Sequence, residues 1–279
     1  MAVSSFAFIV ESIPVTSADH RMKLQVPVLL FVLAASATAQ QITVAAAADL
    51  HSAMQEISTR FEQEKSVKVN VVYGASGNFY QQIQNGAPFD LFFSANSEYP
   101  KKLETDGLTL PATYYEYAQG KIVLLVLSSS TLNLAEGLKV LLGPAVSKIA
   151  IADPAHAPYG RAAVAALKSQ NLYGRVAPKL VTGENISQAA SFVISGAADI
   201  GIIAKSLAVL PSSRSQTRFA EIPQDEYPPI MQACVVLRSS KQQKLARQFE
   251  SYIKSSEAAK MLKKYGFELP PAAQQKSVP

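Results

Sequence analysis

Apolar residues recur in an ordered pattern along most of this chain. Ile42-Thr-Val-Ala-Ala-Ala-Ala48 is a short apolar run, and Leu50, Met54, Ile57 and Phe61 follow at helical spacing up to Lys65. Residues Val67 to Tyr73 alternate as a strand does, Gly74-Ala-Ser-Gly77 reads as a turn, and Phe79 to Asn85 reads as a short helix stopped by Gly86. Phe89 to Ser94 is a further strand. This strand–helix–strand–helix–strand order predicts a parallel sheet with helices on its faces. The second half repeats the style with strands over Lys121–Leu127, Ser147–Ala152, Leu180–Thr182 and Asp199–Ala204. Helices are predicted over Arg161–Gln170 and Asn185–Gly196, the first of them after the loop Asp153–Gly160. A core strand over Ala233–Leu237 and two helices, Lys241–Ser255 and Glu257–Tyr265, close the chain. No repeat or low-complexity linker interrupts it. The expectation is two α/β lobes sharing crossovers, with a cleft at the carboxyl ends of the strands.

The first forty residues follow a different logic. Arg21 and Lys23 precede the apolar run Val26–Ala37, and Ala37-Thr-Ala39 offers a small-x-small site before Gln40. That is the layout of a secretory signal peptide, and the run is short for a membrane span. Residues 1–39 are therefore set apart from the fold, with cleavage expected near Ala39. Met22-Lys23 is an alternative start that would make 1–21 an extension. No cysteine stands at the cleavage site, so no lipid anchor is expected, and the mature chain should be exported to the periplasm. Two acidic and two basic residues leave with this segment, so the net charge stays at +5.

Composition narrows the chemistry. The 279 residues are 48% hydrophobic and 17% charged, an ordinary globular balance. The basic residues are scattered, so no nucleic-acid surface is expected. Cys234 is the sole cysteine, which excludes an intrachain disulfide, and its apolar neighbours predict packing rather than reactivity. Three histidines, His20, His51 and His156, make a multi-histidine metal site improbable. No serine or cysteine is spaced with a histidine as a nucleophile–base pair, and Gly74-Ala-Ser-Gly77 lacks the Gly-x-Ser-x-Gly spacing. His156 fits a surface loop residue. These features favour a binding module over an enzyme, with an exported hydrolase as the distant alternative.

Two turns could carry binding. Ala47-Ala-Asp49 and Gly74-Ala-Ser-Gly77 each join a strand to a helix at one sheet edge. Helix N-termini present free N–H groups and partial positive charge, and so receive anions. Small residues let an anion reach the backbone, and Ser76 adds a hydroxyl. Both Ser76 and Asp49 also fit plain N-caps. Neither turn is a Walker A or Rossmann fingerprint.

An ordered set of segments resembles the periplasmic molybdate-binding proteins of ABC transporters. It comprises Ile42–Leu50, Tyr73–Gly77, Asn85-Gly-Ala-Pro-Phe-Asp-Leu-Phe-Phe-Ser-Ala95, Gly120-Lys121, Asp153-Pro-Ala-His-Ala-Pro-Tyr-Gly160, Gly196-Ala-Ala-Asp-Ile-Gly201 and Lys264-Tyr-Gly-Phe267. The resemblance implies a type II periplasmic-binding-protein fold, two α/β lobes joined by two crossover segments with the ligand in the cleft. Lobe 1 would hold 40–118 plus 226–279 and lobe 2 would hold 119–225, with hinges near Tyr117–Lys121 and Glu221–Pro229. It implies a molybdate or tungstate ligand, no cofactor, a membrane permease as partner, and a monomer. It also implies the donors: Ala48 and Asp49 from the first loop, Ser76 from the second, and the backbone N–H groups of Tyr159 and Ile186. A tyrosine hydroxyl that some members take from the strand ending at Ala204 is missing here. The tyrosine that another subgroup places before the Gly-Lys strand falls on Tyr117, with Tyr114 and Tyr115 as alternatives.

Asp49 departs from the family's serine or asparagine. A carboxylate aimed at a dianion is repulsive. Either its backbone N–H alone contributes while the side chain turns away to cap its helix, or the ligand carries a proton, as hydrogen phosphate does. Neutral donors suit a fully deprotonated oxyanion, since an unmatched buried proton on any other costs roughly 1–3 kcal/mol. Sulfate would be separated by size alone. The tyrosine cluster keeps a ferric-ion binder open as a further alternative.

Overall fold

The computed structural model describes residues 40–271, so the signal-peptide reading over 1–39 lies outside the described residues. The first lobe opens with β1 (Gln41–Ala47), α1 (His51–Lys65), β2 (Lys68–Gly74), α2 (Ser76–Gln84), β3 (Leu91–Ser94), α3 (Glu98–Thr105) and β4 (Tyr115–Gly120). The second is built from β5 (Ile122–Leu127), β6 (Ile149–Ala152), α4 (Pro158–Ser169), α5 (Tyr173–Val176), β7 (Leu180–Gly183), α6 (Ile186–Ile194), β8 (Ile200–Ala204), α7 (Lys205–Ala208), α8 (Pro211–Arg214) and β9 (Thr217–Glu221). The chain then returns to the first lobe with β10 (Ile230–Val236), α9 (Gln243–Ile253) and α10 (Ser256–Lys264).

Two five-stranded sheets result, ordered β2-β1-β3-β10-β4 and β7-β6-β8-β5-β9. The first is parallel over β2, β1 and β3, as the alternation predicts, but β10 inserts antiparallel between β3 and β4. The chain passes between the sheets at Lys121 and again between Glu221 and Ile230.

Side-chain alternation along the strands builds the core of the first lobe. Ile42, Val44 and Ala46 of β1 join Leu91, Phe93, Cys234 and Val236 on one face, against α1, α9 and α10. Phe249 of α9 packs there with ring centroids 5.0 Å from Phe61 and 6.0 Å from Phe93. Burying each such ring contributes about 1.5–3 kcal/mol. Ala45, Phe92 and Val235 turn to the opposite face, against Phe79 and Ile83 of α2 and Leu103 of α3. The thiol of Cys234 is buried in this core, which pushes its pKa upward.

Register decides where the loops meet. Ala47 pairs with Gly74 at the ends of β1 and β2, so the two turns lie side by side. In the second sheet Ala152 pairs with Gly183, which does the same for the turns before α4 and α6. Two helix starts differ from the sequence expectation by three residues. Helix α2 begins at Ser76 rather than Phe79, and α4 begins at Pro158 rather than Arg161. Proline at the first helical position explains the second case, because its fixed φ and missing N–H suit that place.

Candidate functional site

Five chain segments converge on one small cavity. It is lined by Ala47, Ala48 and Asp49 after β1, by Gly74, Ala75 and Ser76 at the start of α2, and by Ala95 after β3. The second lobe supplies Ala157, Pro158 and Tyr159 at the start of α4, and Asn185 and Ile186 at the start of α6. A helix leaves its first N–H groups without intrahelical partners, so these starts aim donors and partial positive charge at one point. Ala48–Leu50 is itself a 3-10 turn that leads into α1. The cavity is about 10 Å³, where organic-ligand pockets run to roughly 300–1,000 Å³. No lysine, arginine or histidine lines it.

Local chemistry prepares the donors. Asn185 caps α6 by accepting from the N–H groups of Ser187 at 3.0 Å and Gln188 at 3.1 Å, which leaves Ile186 N–H outside the cap. The Ser76 Oγ accepts from Ala95 N–H at 2.9 Å, which leaves its proton free to donate. Ser76 is thus not the N-cap of α2, a place taken by Ala75, but its first helical residue.

Asp49 sits in a buried polar network. Its Oδ2 accepts from Tyr159 Oη at 2.8 Å and from Gln232 Nε2 at 2.5 Å. Gln232 Oε1 in turn accepts from Tyr117 Oη at 2.8 Å. Burial raises the Asp49 carboxyl to about 6, against the lowering effect of these donors. The side chain bonds across the cleft to Tyr159 Oη, and the neighbouring N–H groups of Asp49 and Leu50 lower its pKa to a smaller extent.

The six residues singled out from sequence meet unequally. Ala48, Asp49, Ser76, Tyr159 and Ile186 all line the cavity, whereas Tyr117 does not. Tyr117 is 2% exposed, packs on Phe93, and spends its hydroxyl on Gln232 and the Ser94 carbonyl. It stands behind the wall and reaches the cavity through Gln232 and Asp49. Its rivals lie elsewhere: Tyr114 donates to Glu116 Oε1 at 2.6 Å, and Lys254 sits over the ring of Tyr115. The three tyrosines thus do not face a common point. Among the described residues no group of three or more His, Cys, Asp or Glu side chains is arranged to hold a metal ion.

Several residues that support the cavity were not singled out from the sequence. Gln232 is a fully buried polar residue in an apolar strand, and that interruption of Ile230–Val236 is the signal that could have revealed it. Ser187 Oγ donates to Ala48 O at 3.1 Å, and Ser206 Oγ donates to Asp49 O at 2.9 Å. Gly77 N–H donates to His156 O at 2.9 Å, and a Cβ at Gly77 would stand 2.6 Å from that oxygen. With Tyr159 on Asp49, these bonds tie the second lobe to the two loops of the first.

Comparison with known proteins places this architecture. A family model described as bacterial extracellular solute-binding protein matches residues 42–268.

The chain belongs to the bacterial extracellular solute-binding proteins.

A relative in this family, the molybdate-binding protein ModA of Rhodobacter capsulatus, is 36% identical over 239 residues, 86% of this chain and 92% of the relative. The solved Azotobacter vinelandii periplasmic molybdate-binding protein superposes with a TM-score of 0.78 at 32% identity, covering 82% of this chain and all of the other. The sulfate-binding protein SubI of Mycobacterium tuberculosis aligns with a TM-score of 0.66 over 85% of this chain and 89% of its own, at 19% identity, a likeness of fold alone. For a solute-binding protein, the cavity between the sheets is the natural place for the solute. Among the described residues no helix is long and apolar enough to cross a membrane.

Proposed function

We propose that this chain is a periplasmic binding protein that captures molybdate or tungstate and passes it to the permease of an ABC transporter. The reading divides the chain into lobe 1, 40–118 plus 226–279, and lobe 2, 119–225, which close on the anion as rigid bodies. One observation carries it: the starts of α2, α4 and α6 and the Ala48–Leu50 turn face a single small cavity without a cationic side chain. Donors of this kind are Asp49 N–H, Ser76 N–H and Oγ, Tyr159 N–H and Ile186 N–H. They match an anion that accepts hydrogen bonds at every oxygen and donates none. The names of relatives at 36% and 32% identity point to the same ligand class. No step of chemistry is needed, so the protein acts as a binding module. Neutral donors also release the anion more readily than ion pairs would when the lobes reopen.

A second reading has one observation in its favour. Asp49 Oδ1 is buried and has no hydrogen-bond partner. A protonated oxyanion such as hydrogen phosphate could donate to it. Thermal-shift and calorimetric titration with molybdate, tungstate, sulfate, phosphate and ferric citrate separates the readings, because stabilisation grows as RT ln(1 + [L]/Kd). Molybdate and tungstate should raise the melting temperature most. A response to phosphate alone, or to ferric citrate alone, would replace the proposed ligand.

A further inference from the structure

The hydrogen bonds around Asp49 do not balance for an ionised carboxylate. Its Oδ2 receives Tyr159 Oη and Gln232 Nε2, while Oδ1 is buried without any donor. Gln232 Oε1 is already taken by Tyr117, so the Nε2 end of that amide faces Asp49. Nε2 also reaches Tyr159 Oη at 3.1 Å, so Tyr159 receives from Gln232 and gives to Asp49. All these donors point at one oxygen. The other oxygen belongs to a residue of the cavity wall, and no cation lines that wall. A negative Oδ1 beside a dianion would have neither a donor nor a counter-charge.

A neutral acid resolves both problems. Oδ2 then serves as the carbonyl oxygen and keeps its two donors, while Oδ1 carries a proton that it can donate. We propose that Asp49 binds the oxyanion as an uncharged carboxylic acid, donating Oδ1–H to an anion oxygen, so that each anion enters with one proton. The proton comes from solvent onto Oδ1, and no other bond forms or breaks. Asp49 thereby takes the place of a neutral side-chain donor and sets specificity for unprotonated anions. This inference rests on the oxyanion reading of the cavity.

Burial favours the neutral form of Asp49 and outweighs the hydrogen bonds from Gln232, Tyr159 and the N–H groups of Asp49 and Leu50, which favour the ion. The titratable groups facing its carboxyl are Tyr159 from α4 and Tyr117 from β4, both held neutral by burial. Gln232 from β10 is an uncharged amide. Ser206 of α7 and Ser187 of α6 reach only the backbone carbonyls of Asp49 and Ala48. His156, on the loop before α4, meets α2 through its carbonyl oxygen. Burial has already brought the carboxyl to about 6, and a dianion beside it pushes in the same direction.

Calorimetric titration of the purified protein with sodium molybdate between pH 7 and 8.5 tests this, run in Tris and in HEPES. The two buffers differ in ionisation enthalpy, so the difference in heat counts protons. The expected result is close to one proton taken up per anion, with Kd rising close to tenfold per pH unit. Asp49→Asn should abolish that uptake and flatten the pH dependence, and it should bind more tightly than the natural protein at pH 8.5. Molybdate binding by the unaltered protein without proton uptake would overturn the inference and leave the oxyanion reading standing. Undiminished uptake in Asp49→Asn would overturn it by placing the proton on another group. Phosphate binding without uptake, lost in Asp49→Asn, would overturn it by showing an ionised acceptor. Failure of any oxyanion to bind would overturn the underlying reading and this inference with it.

Discussion

The two lobes meet at the cavity with different equipment. The first brings side chains: the Ser76 hydroxyl and the buried Asp49 carboxyl, backed by Gln232 and Tyr117. The second brings backbone alone to the cavity, from the starts of α4 and α6, and spends its side chains on the first lobe. Tyr159, Ser187 and Ser206 all bond to Ala48 or Asp49, and the His156 carbonyl takes Gly77 N–H. The lesson is a division of labour. The first lobe faces the cavity with groups whose protonation and identity can vary, whereas the second offers it backbone amides and closes on the first through the hydroxyls of Tyr159, Ser187 and Ser206.

The sharpest test removes the charge from the first lobe. In the ligand-free protein the Asp49 carboxyl is raised from 3.8 to about 6, so the folded state holds its proton more strongly than the unfolded chain. The resulting destabilisation is full above pH 6 and disappears as pH falls toward 3.8, a difference of up to about 3 kcal/mol. Urea unfolding of Asp49→Asn should show a gain of that order at pH 8, with the two proteins converging near pH 4. A variant less stable than its parent at pH 8 would mean that the carboxylate is stabilised as an ion.

The next test deletes a donor from the second lobe without touching a side-chain network. Ile186 is the first residue of α6, and Asn185 before it is extended at φ −145° and ψ 175°. Both positions accept the demands of proline. Ile186→Pro removes one N–H while keeping the helix. It should weaken molybdate binding by about 1.5–3 kcal/mol, the scale of a hydrogen bond to a charged partner. Ser76→Ala, its counterpart in the first lobe, should cost about 1–2 kcal/mol of binding, and it also strips Ala95 N–H of its acceptor. Equal affinity for Ile186→Pro and the parent would break the idea that the second lobe binds through its amides. The smallest effect belongs to Tyr117→Phe. Its hydroxyl bonds to Gln232 and Ser94, so affinity should change by less than about 1 kcal/mol while thermal stability falls. A tenfold loss of affinity would put Tyr117 in direct contact with the anion.

Periodicity revealed the strands and helices whose apolar faces are deep in a lobe. It missed β4 and β9, each at one edge of its sheet, while it found β2 and β7 at the opposite edges. Tyr115–Gly120 and Thr217–Glu221 carry polar and charged residues that dilute the alternation. Helices α2 and α4 start three residues before the pattern suggests, because Ser76-Gly77 and Pro158-Tyr-Gly160 look like loop until the backbone is seen. Five of the six candidate ligand residues line the cavity because they follow strand ends, which local pattern reports well. Tyr117 stands outside the cavity lining for the opposite reason. Its position depends on the antiparallel insertion of β10, which brings Gln232 from 115 residues away. Ser187, Ser206 and the His156 carbonyl likewise matter only once two distant stretches close on each other.

The insertion of β10 also orders events in time. The second sheet draws all its strands from one continuous stretch, Ile122 to Glu221, and can assemble as soon as that stretch is made. The first cannot, since the strand between β3 and β4 begins at Ile230. Until then β3 and β4 have no common neighbour, and α9 and α10 are still missing from the face that buries Phe61 and Phe93. During synthesis the amino-terminal lobe is thus the last to be finished, which keeps that part of the nascent polypeptide unfolded the longest.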